Sequence, residues 1–142
     1  MAVESSASTV WEGDLAHGGG TTTPDSGAFE PVEVSWASRT RRAAGKTSPE
    51  ELLAAAHASC YCMALANELA QAGTPPQRLD ATARVDFEPG EGVKSSHITI
   101  SGRVDGIDQA KFEEAARAAG EGCPISGALK GNVDIAVDAT LE

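Results

Sequence analysis

The chain has 142 residues, enough for one domain with a real core, and 41% of them are hydrophobic while only 4% are aromatic. The core must therefore be built from Ala, Leu, Val and Ile. The formal net charge of -10 and pI of about 4.7 argue against nucleic acid and anionic membrane as partners, because phosphate binding needs clustered Lys and Arg.

No apolar run approaches the roughly 20 residues that a membrane span needs. The N-terminal "MAVESSASTVWEGD" has neither a basic nor an apolar signal region. Three cysteines in such a chain lead us to expect reduced thiols in a cytoplasm.

In chain order, "STVWEGD" (8–14) reads as a short strand and "HGGGTTTPDSG" as a flexible connection. "PVEVSWA" (31–37) alternates Val32, Val34 and Trp36 with polar residues, a half-buried strand. "SRTRRAAGK" holds four of the eleven cations and reads as a loop. A long helix follows. Ser48 fits its N-cap, Pro49 its first position and Glu51 a capping box, while Gly73 and Pro75–Pro76 end it. Between Leu52 and Ala70 this helix is apolar on most faces, which one short chain cannot enclose, so a dimer with the helix near its centre is expected.

"LDATARVDFE" (79–88) and "VKSSHITISGRVD" (93–105) alternate with period two and are joined by "PGEG" as an antiparallel hairpin. "IDQAKFEEAARAAG" (107–120) is a second helix with Asp108 as N-cap and Gly120 just past its end. "GCPISGALK" opens a short third helix, and "NVDIAVDATL" (132–141) is the last strand. Strands at both ends of a helical middle indicate one α+β domain over residues 1–142.

The thiols carry the chemical signal. Free cysteine often serves as a small buried hydrophobe, so each must be weighed against plain packing. Cys62 points about 200° around the helix from Cys60, which assigns it to packing and forbids a disulfide between the two. Cys123 precedes Pro124 at a helix start, where negative charge is favoured and a thiol is acidified. Cys60, if buried, is pushed the other way unless a cation reaches it, and Arg39, Arg41 and Arg42 are the obvious source. His57 lies one turn before Cys60. It reads first as a hydrogen-bonded core histidine and second as a base for the thiol. A zinc set of His57, Cys60, Cys62 and Cys123 is poor because the two helix thiols diverge. His17 and His97 carry no chemical signal.

"SPEELLAAAHASCYCMAL" and "GCPISGALKGNVDIAVDATL", with "WEGD" near the start and "VDGID" before the second helix, resemble the osmotically inducible protein C (OsmC) family and its organic hydroperoxide resistance relatives. The resemblance runs in order from Trp11 to Leu141. It implies an OsmC-like intertwined homodimer, of α+β fold with antiparallel-rich sheets, acting as a thiol peroxidase with two active sites at its interface. On that reading Cys60 matches the peroxidatic cysteine and Cys123 the resolving one. Glu50 matches the family's glutamate, and Arg39 the arginine that stabilises the thiolate, with Arg41 as the alternative. Cys62 departs from the pattern, where a non-thiol residue is usual.

The implied chemistry needs no metal, haem or flavin. A Cys60 thiolate attacks a hydroperoxide, preferably an alkyl one given the apolar walls from Leu52, Leu53 and Met63. Cys123 closes a disulfide on the resulting sulfenic acid, and an external dithiol, of lipoyl type in the family, reopens it. A redox-sensing thiol switch and a non-catalytic stress protein are the rival readings. Helix arithmetic adds one expectation: ten residues of unbroken helix put Glu50 about 15 Å from Cys60 along the axis. Either that helix breaks, or the partner subunit delivers Glu50 and Arg39.

Overall fold

The computed structural model describes residues 1–42 and 44–142. Two compact units divide the chain, Met1–Leu52 and Leu53–Glu142.

In the first unit, β1 (Ala7–Glu12), β2 (Gly19–Pro24) and β3 (Val32–Val34) form an antiparallel sheet in that order. β2 lies where the sequence suggested a flexible connection. Its glycines hide a packing role: Gly20 opposes Trp11, and a Cβ added at Gly20 would come 2.9 Å from Trp11 Cε3. β3 is shorter than the alternation suggested, because Ser35 turns the chain into α1 (Trp36–Arg41). The Ser38 amide donates to Ser35 Oγ at 3.0 Å, and the Ser35 amide donates back to Ser38 Oγ at 2.9 Å. This reciprocal cap makes a helix of the start of "SRTRRAAGK", which had been expected to be a loop throughout. Arg42 ends it with a left-handed φ of 57°.

The long helix α2 spans Pro49–Gln71 without interruption. The Glu51 amide donates to Ser48 Oγ at 3.1 Å, one half of the expected capping box, while the Glu51 carboxylate accepts from Thr47 Oγ1 at 2.8 Å, and Gly73 takes φ 83° just beyond the end. Every fourth residue from His57 through Tyr61, Leu65 and Leu69 is buried, which marks one face turned to the core. Other positions stay partly open, and Met63 is 74% exposed.

In the second unit β4 (Arg78–Glu88) and β5 (Gly92–Arg103) form the expected hairpin. α3 (Gln109–Gly122) and α4 (Pro124–Leu129) then lead to β6 (Asp134–Leu141), which pairs with β5 in parallel. A helical crossover is what a parallel neighbour demands. Asp108 caps α3 by accepting from the Lys111 amide at 2.9 Å. α3 runs two residues past the expected stop at Gly120, and Cys123, in extended conformation, ends it.

The core of this unit joins Tyr61, Leu65 and Leu69 of α2 to Ile98 and Ile100 of β5 and to Phe112, Ala116 and Ala119 of α3. Gly102 continues the inward face of β5, where a Cβ would lie 2.6 Å from Phe112 Cε2. Phe112 thus sits where only a glycine leaves room. The architecture is α+β, as the order of elements implied. Among the described residues, no helix is long and apolar enough to cross a membrane.

Candidate active site

The four residues singled out from the sequence fall into two clusters. In the first unit, Arg39 of α1 meets Glu50 in the first turn of α2: Nη2 lies 2.7 Å and Nε 2.8 Å from Glu50 Oε1. Arg39 also lies 5.9 Å from the Trp36 ring centroid, within cation–π range. Of the two arginines considered, Arg39 is therefore the one joined to the glutamate. Glu50 is 6% exposed, and its second oxygen, Oε2, is buried without a hydrogen-bond partner among the described residues. A buried carboxylate oxygen left in that state is costly.

In the second unit, Cys60 of α2 and Cys123 stand with their sulfurs 3.3 Å apart, and all three cysteines are free. Cys123 is both the end of α3 and the N-cap of α4, with Pro124 at the first helical position. Its sulfur accepts from the Ser126 amide at 3.5 Å. Burial works against charge on Cys123. Hydrogen bonds from the Ser126 side chain and amide, from the Cys60 thiol and from the Ile125 amide outweigh it and leave this thiol more acidic than usual. Cys60 moves the other way: burial raises it, and negative charge at Cys123 adds to the effect, although the Ile125 amide opposes both. Of the two thiols, Cys123 is therefore the more acidic. Tyr61, beneath them, is pushed up to about 12 by burial and by the charge at Cys123.

Cys62, on another face of α2, is only partly buried, and its thiol is raised by burial and by Asp80. His57 is fully buried, with Nδ1 2.7 Å from Ser96 Oγ and Nε2 2.8 Å from Ser126 Oγ. Burial lowers its pKa, which keeps the imidazole neutral near pH 7. The core-histidine reading holds, and both ring nitrogens are occupied by serine hydroxyls. His17 pairs with Asp14 at an exposed position, and the half-buried His97 pairs with the exposed Asp138.

Ser96 and Ser126 were missed from the sequence. Each left a trace there: Ser96 occupies an inward position in a strand whose next inward residues are Ile98 and Ile100, and Ser126 stands three residues after a capping cysteine. A polar residue on a core-facing register is the informative exception.

A family model described as OsmC-like protein matches residues 42–138. The peroxiredoxin OsmC of Escherichia coli (strain K12) is 34% identical over 138 residues, covering 95% of this chain and 96% of its own. The organic hydroperoxide resistance protein OhrB of Bacillus subtilis (strain 168) is 26% identical over 126 residues, 87% of this chain and 92% of its own. The crystal structure of an organic hydroperoxide resistance protein OsmC from Legionella pneumophila shares the fold, with a TM-score of 0.74 at 22% identity and full coverage of both chains. With two cysteines from separate motifs in contact and a family match over most of its length, this chain belongs to the OsmC family.

Proposed function

We propose that the chain is a thiol-dependent peroxidase that reduces organic hydroperoxides to alcohols. The observation that carries this reading is the 3.3 Å contact between the Cys60 and Cys123 sulfurs in a chain whose thiols are all free. The names of its relatives, a peroxiredoxin and an organic hydroperoxide resistance protein, support it.

In the reaction the Cys60 thiolate attacks one peroxide oxygen. The O–O bond breaks, Cys60 becomes a sulfenic acid, and the departing alkoxide takes a proton to leave as alcohol. The Cys123 sulfur then attacks the sulfenic sulfur, forming an S–S bond as hydroxide departs and is protonated to water. An external dithiol restores both thiols by exchange. The setting is the cytoplasm, where such a dithiol is maintained.

Burial and the neighbouring Cys123 push the Cys60 thiol up in the chain alone, so the first step needs a cation that favours a Cys60 thiolate. The Arg39–Glu50 pair is the candidate, supplied by the partner in a homodimer. Two observations support delivery in trans: α2 is unbroken, so ten residues of rise, about 15 Å, separate Glu50 from Cys60, and Glu50 Oε2 is buried with an acceptor site still open among the described residues.

The test is consumption of tert-butyl hydroperoxide by the purified protein with excess dithiol, run against hydrogen peroxide. Repeated turnover with preference for the alkyl substrate is expected. A single stoichiometric oxidation would instead identify a redox switch, and no oxidation a structural protein.

A further inference from the structure

β6 stands at one end of its sheet, where the strand order is β4–β5–β6, so among the described residues its outer side has no neighbouring strand. An edge of this kind presents a row of backbone N–H and C=O groups with which another chain can pair. Part of that row is taken by a single side chain. Gln109, the first residue of α3, donates from Nε2 to the Ala139 carbonyl at 2.9 Å, and its Oε1 accepts from the Leu141 amide at 2.7 Å. One residue of an added parallel strand would make the same two bonds, its N–H to one carbonyl and its C=O to the amide two residues on. The other Nε2 hydrogen goes to Glu113 Oε1 at 2.7 Å, one turn along α3. The partners fix the direction of the amide, because a carbonyl only accepts and a backbone N–H only donates.

Gln109 is exposed, so water would satisfy the same groups and the bonds do not rescue buried polar atoms. Their effect is to close an edge. Asp108 sets the point from which Gln109 reaches, since it caps α3 by accepting from the Lys111 amide at 2.9 Å. Nearer the middle of β6, Val137 and Ala139 line a cavity of about 690 Å³ that is also lined by Glu113, Arg117 and Glu121 of α3. A strand entering there would have to strip water from charged groups.

We propose that Gln109 is an edge-closing residue: its amide takes the place of a further strand at Ala139–Leu141 and keeps β6 of a second copy from pairing there. A second copy is the competitor because every chain offers the same edge, and two such edges meet as an antiparallel pair about a twofold axis. Gln109 has no part in the thiol chemistry, so this proposal and the peroxidase reading stand or fall separately.

The test is sedimentation velocity of the whole protein over a range of concentrations, together with hydrogen exchange at the Leu141 amide. Gln109→Ala removes both edge bonds and leaves the edge bare. Exchange at Leu141 should quicken by about fivefold, the worth of one neutral hydrogen bond. Species heavier than the native assembly should appear and grow with concentration. Gln109→Lys separates an open edge from a weakened fold. Lysine offers the Leu141 amide no acceptor, so exchange there should quicken as in the alanine variant, but its charge sits on the edge and opposes pairing. That variant should sediment as the native chain does. Gln109→Ala remaining at the native mass overturns the proposal, and so does equal association of the two variants, which would trace the association to a weakened fold. Exchange at Leu141 unmoved in both variants overturns it as well, since Gln109 would then not hold the edge in solution.

Discussion

The sulfur of Cys123 lies 3.3 Å from that of Cys60, although 63 residues separate them in sequence. One comes from the middle of a long helix and the other from the junction of two helices, so the contact exists only once the second unit is folded. Closing it to a bond of about 2.05 Å needs a shift of little more than about 1 Å. The two thiols differ in surroundings: Cys123 is 1% exposed, whereas Cys60 is only partly buried.

That asymmetry supports the proposed roles, because hydroperoxide must reach the first sulfur and only protein need reach the second. Cys60→Ser should abolish turnover. Cys123→Ser should retain one stoichiometric oxidation at Cys60, trapped as a sulfenic acid adduct, and then over-oxidise under repeated peroxide. Mass spectrometry of the adducts checks this, and loss of the first oxidation in Cys123→Ser would reverse the roles. Cys62→Ala, on another face of α2, should keep activity within about twofold, since the change removes one partly buried sulfur that does not meet the Cys60–Cys123 pair.

Phe112 and Gly102 test the packing that holds β5 against α3. Gly102→Ala places a methyl group 2.6 Å from Phe112 Cε2 and 2.9 Å from Leu79 Cδ2. The ring must move within a close-packed core, which costs about 1–3 kcal/mol. Urea unfolding should show a lower midpoint with an unchanged slope. An unaltered midpoint would mean that the ring has slack at this position.

What was legible in the sequence divides along physical lines. α2 was readable because Ser48, Pro49 and Gly73 are local signals that need no tertiary partner, and the Gly102 strand showed its alternation plainly. β2 was not, since its Gly20 leaves room for Trp11 across the sheet yet resembles a linker residue when read along the chain. α1 was hidden for a related reason: its cap is made by two serines, while attention falls on the arginines. At the site, the cysteines and Arg39 were identifiable by chemistry and by resemblance. Ser96 and Ser126 were not, because what marks them is the buried His57 that they face across the fold.

His57 makes a prediction about pH. Burial lowers its pKa below the ordinary 6.5, so the unfolded chain binds a proton here that the folded chain refuses. The stabilisation is fully present above about pH 6.5 and is lost as pH falls towards the folded pKa, at up to about 1.4 kcal/mol per pH unit. His57→Gln keeps hydrogen-bonding capacity but cannot titrate. Denaturation midpoints measured from pH 7.5 down to 5 should therefore fall more steeply for the native chain than for His57→Gln, a comparison in which the other titrating groups cancel. Parallel curves would show that His57 is not protonated differently on unfolding.

The last prediction concerns Arg39 and Glu50, which bind each other at 2.7 Å. If they serve the Cys60 of a partner, the protein should sediment as a dimer at low micromolar concentration, and neither cluster should work in isolation. Mixed dimers separate the alternatives. One parent carries Cys60→Ser and should be inactive, and the other carries Arg39→Ala with Glu50→Ala and should keep only a small residual activity. In the heterodimer one Cys60 is intact on the chain that lacks the pair, while the other chain keeps the pair but lacks the thiol. Acting in trans, the intact pair meets the intact thiol, and one site of two recovers. Acting in cis, no site holds both, and activity stays at background. The loss in the double variant should be at least about tenfold, because removing a cation beside a thiolate raises its pKa by a unit or more. Raising the pH should restore part of that loss in the double variant, since hydroxide can then remove the Cys60 proton without help. A loss that no increase in pH relieves would assign the pair to substrate binding instead of thiolate formation.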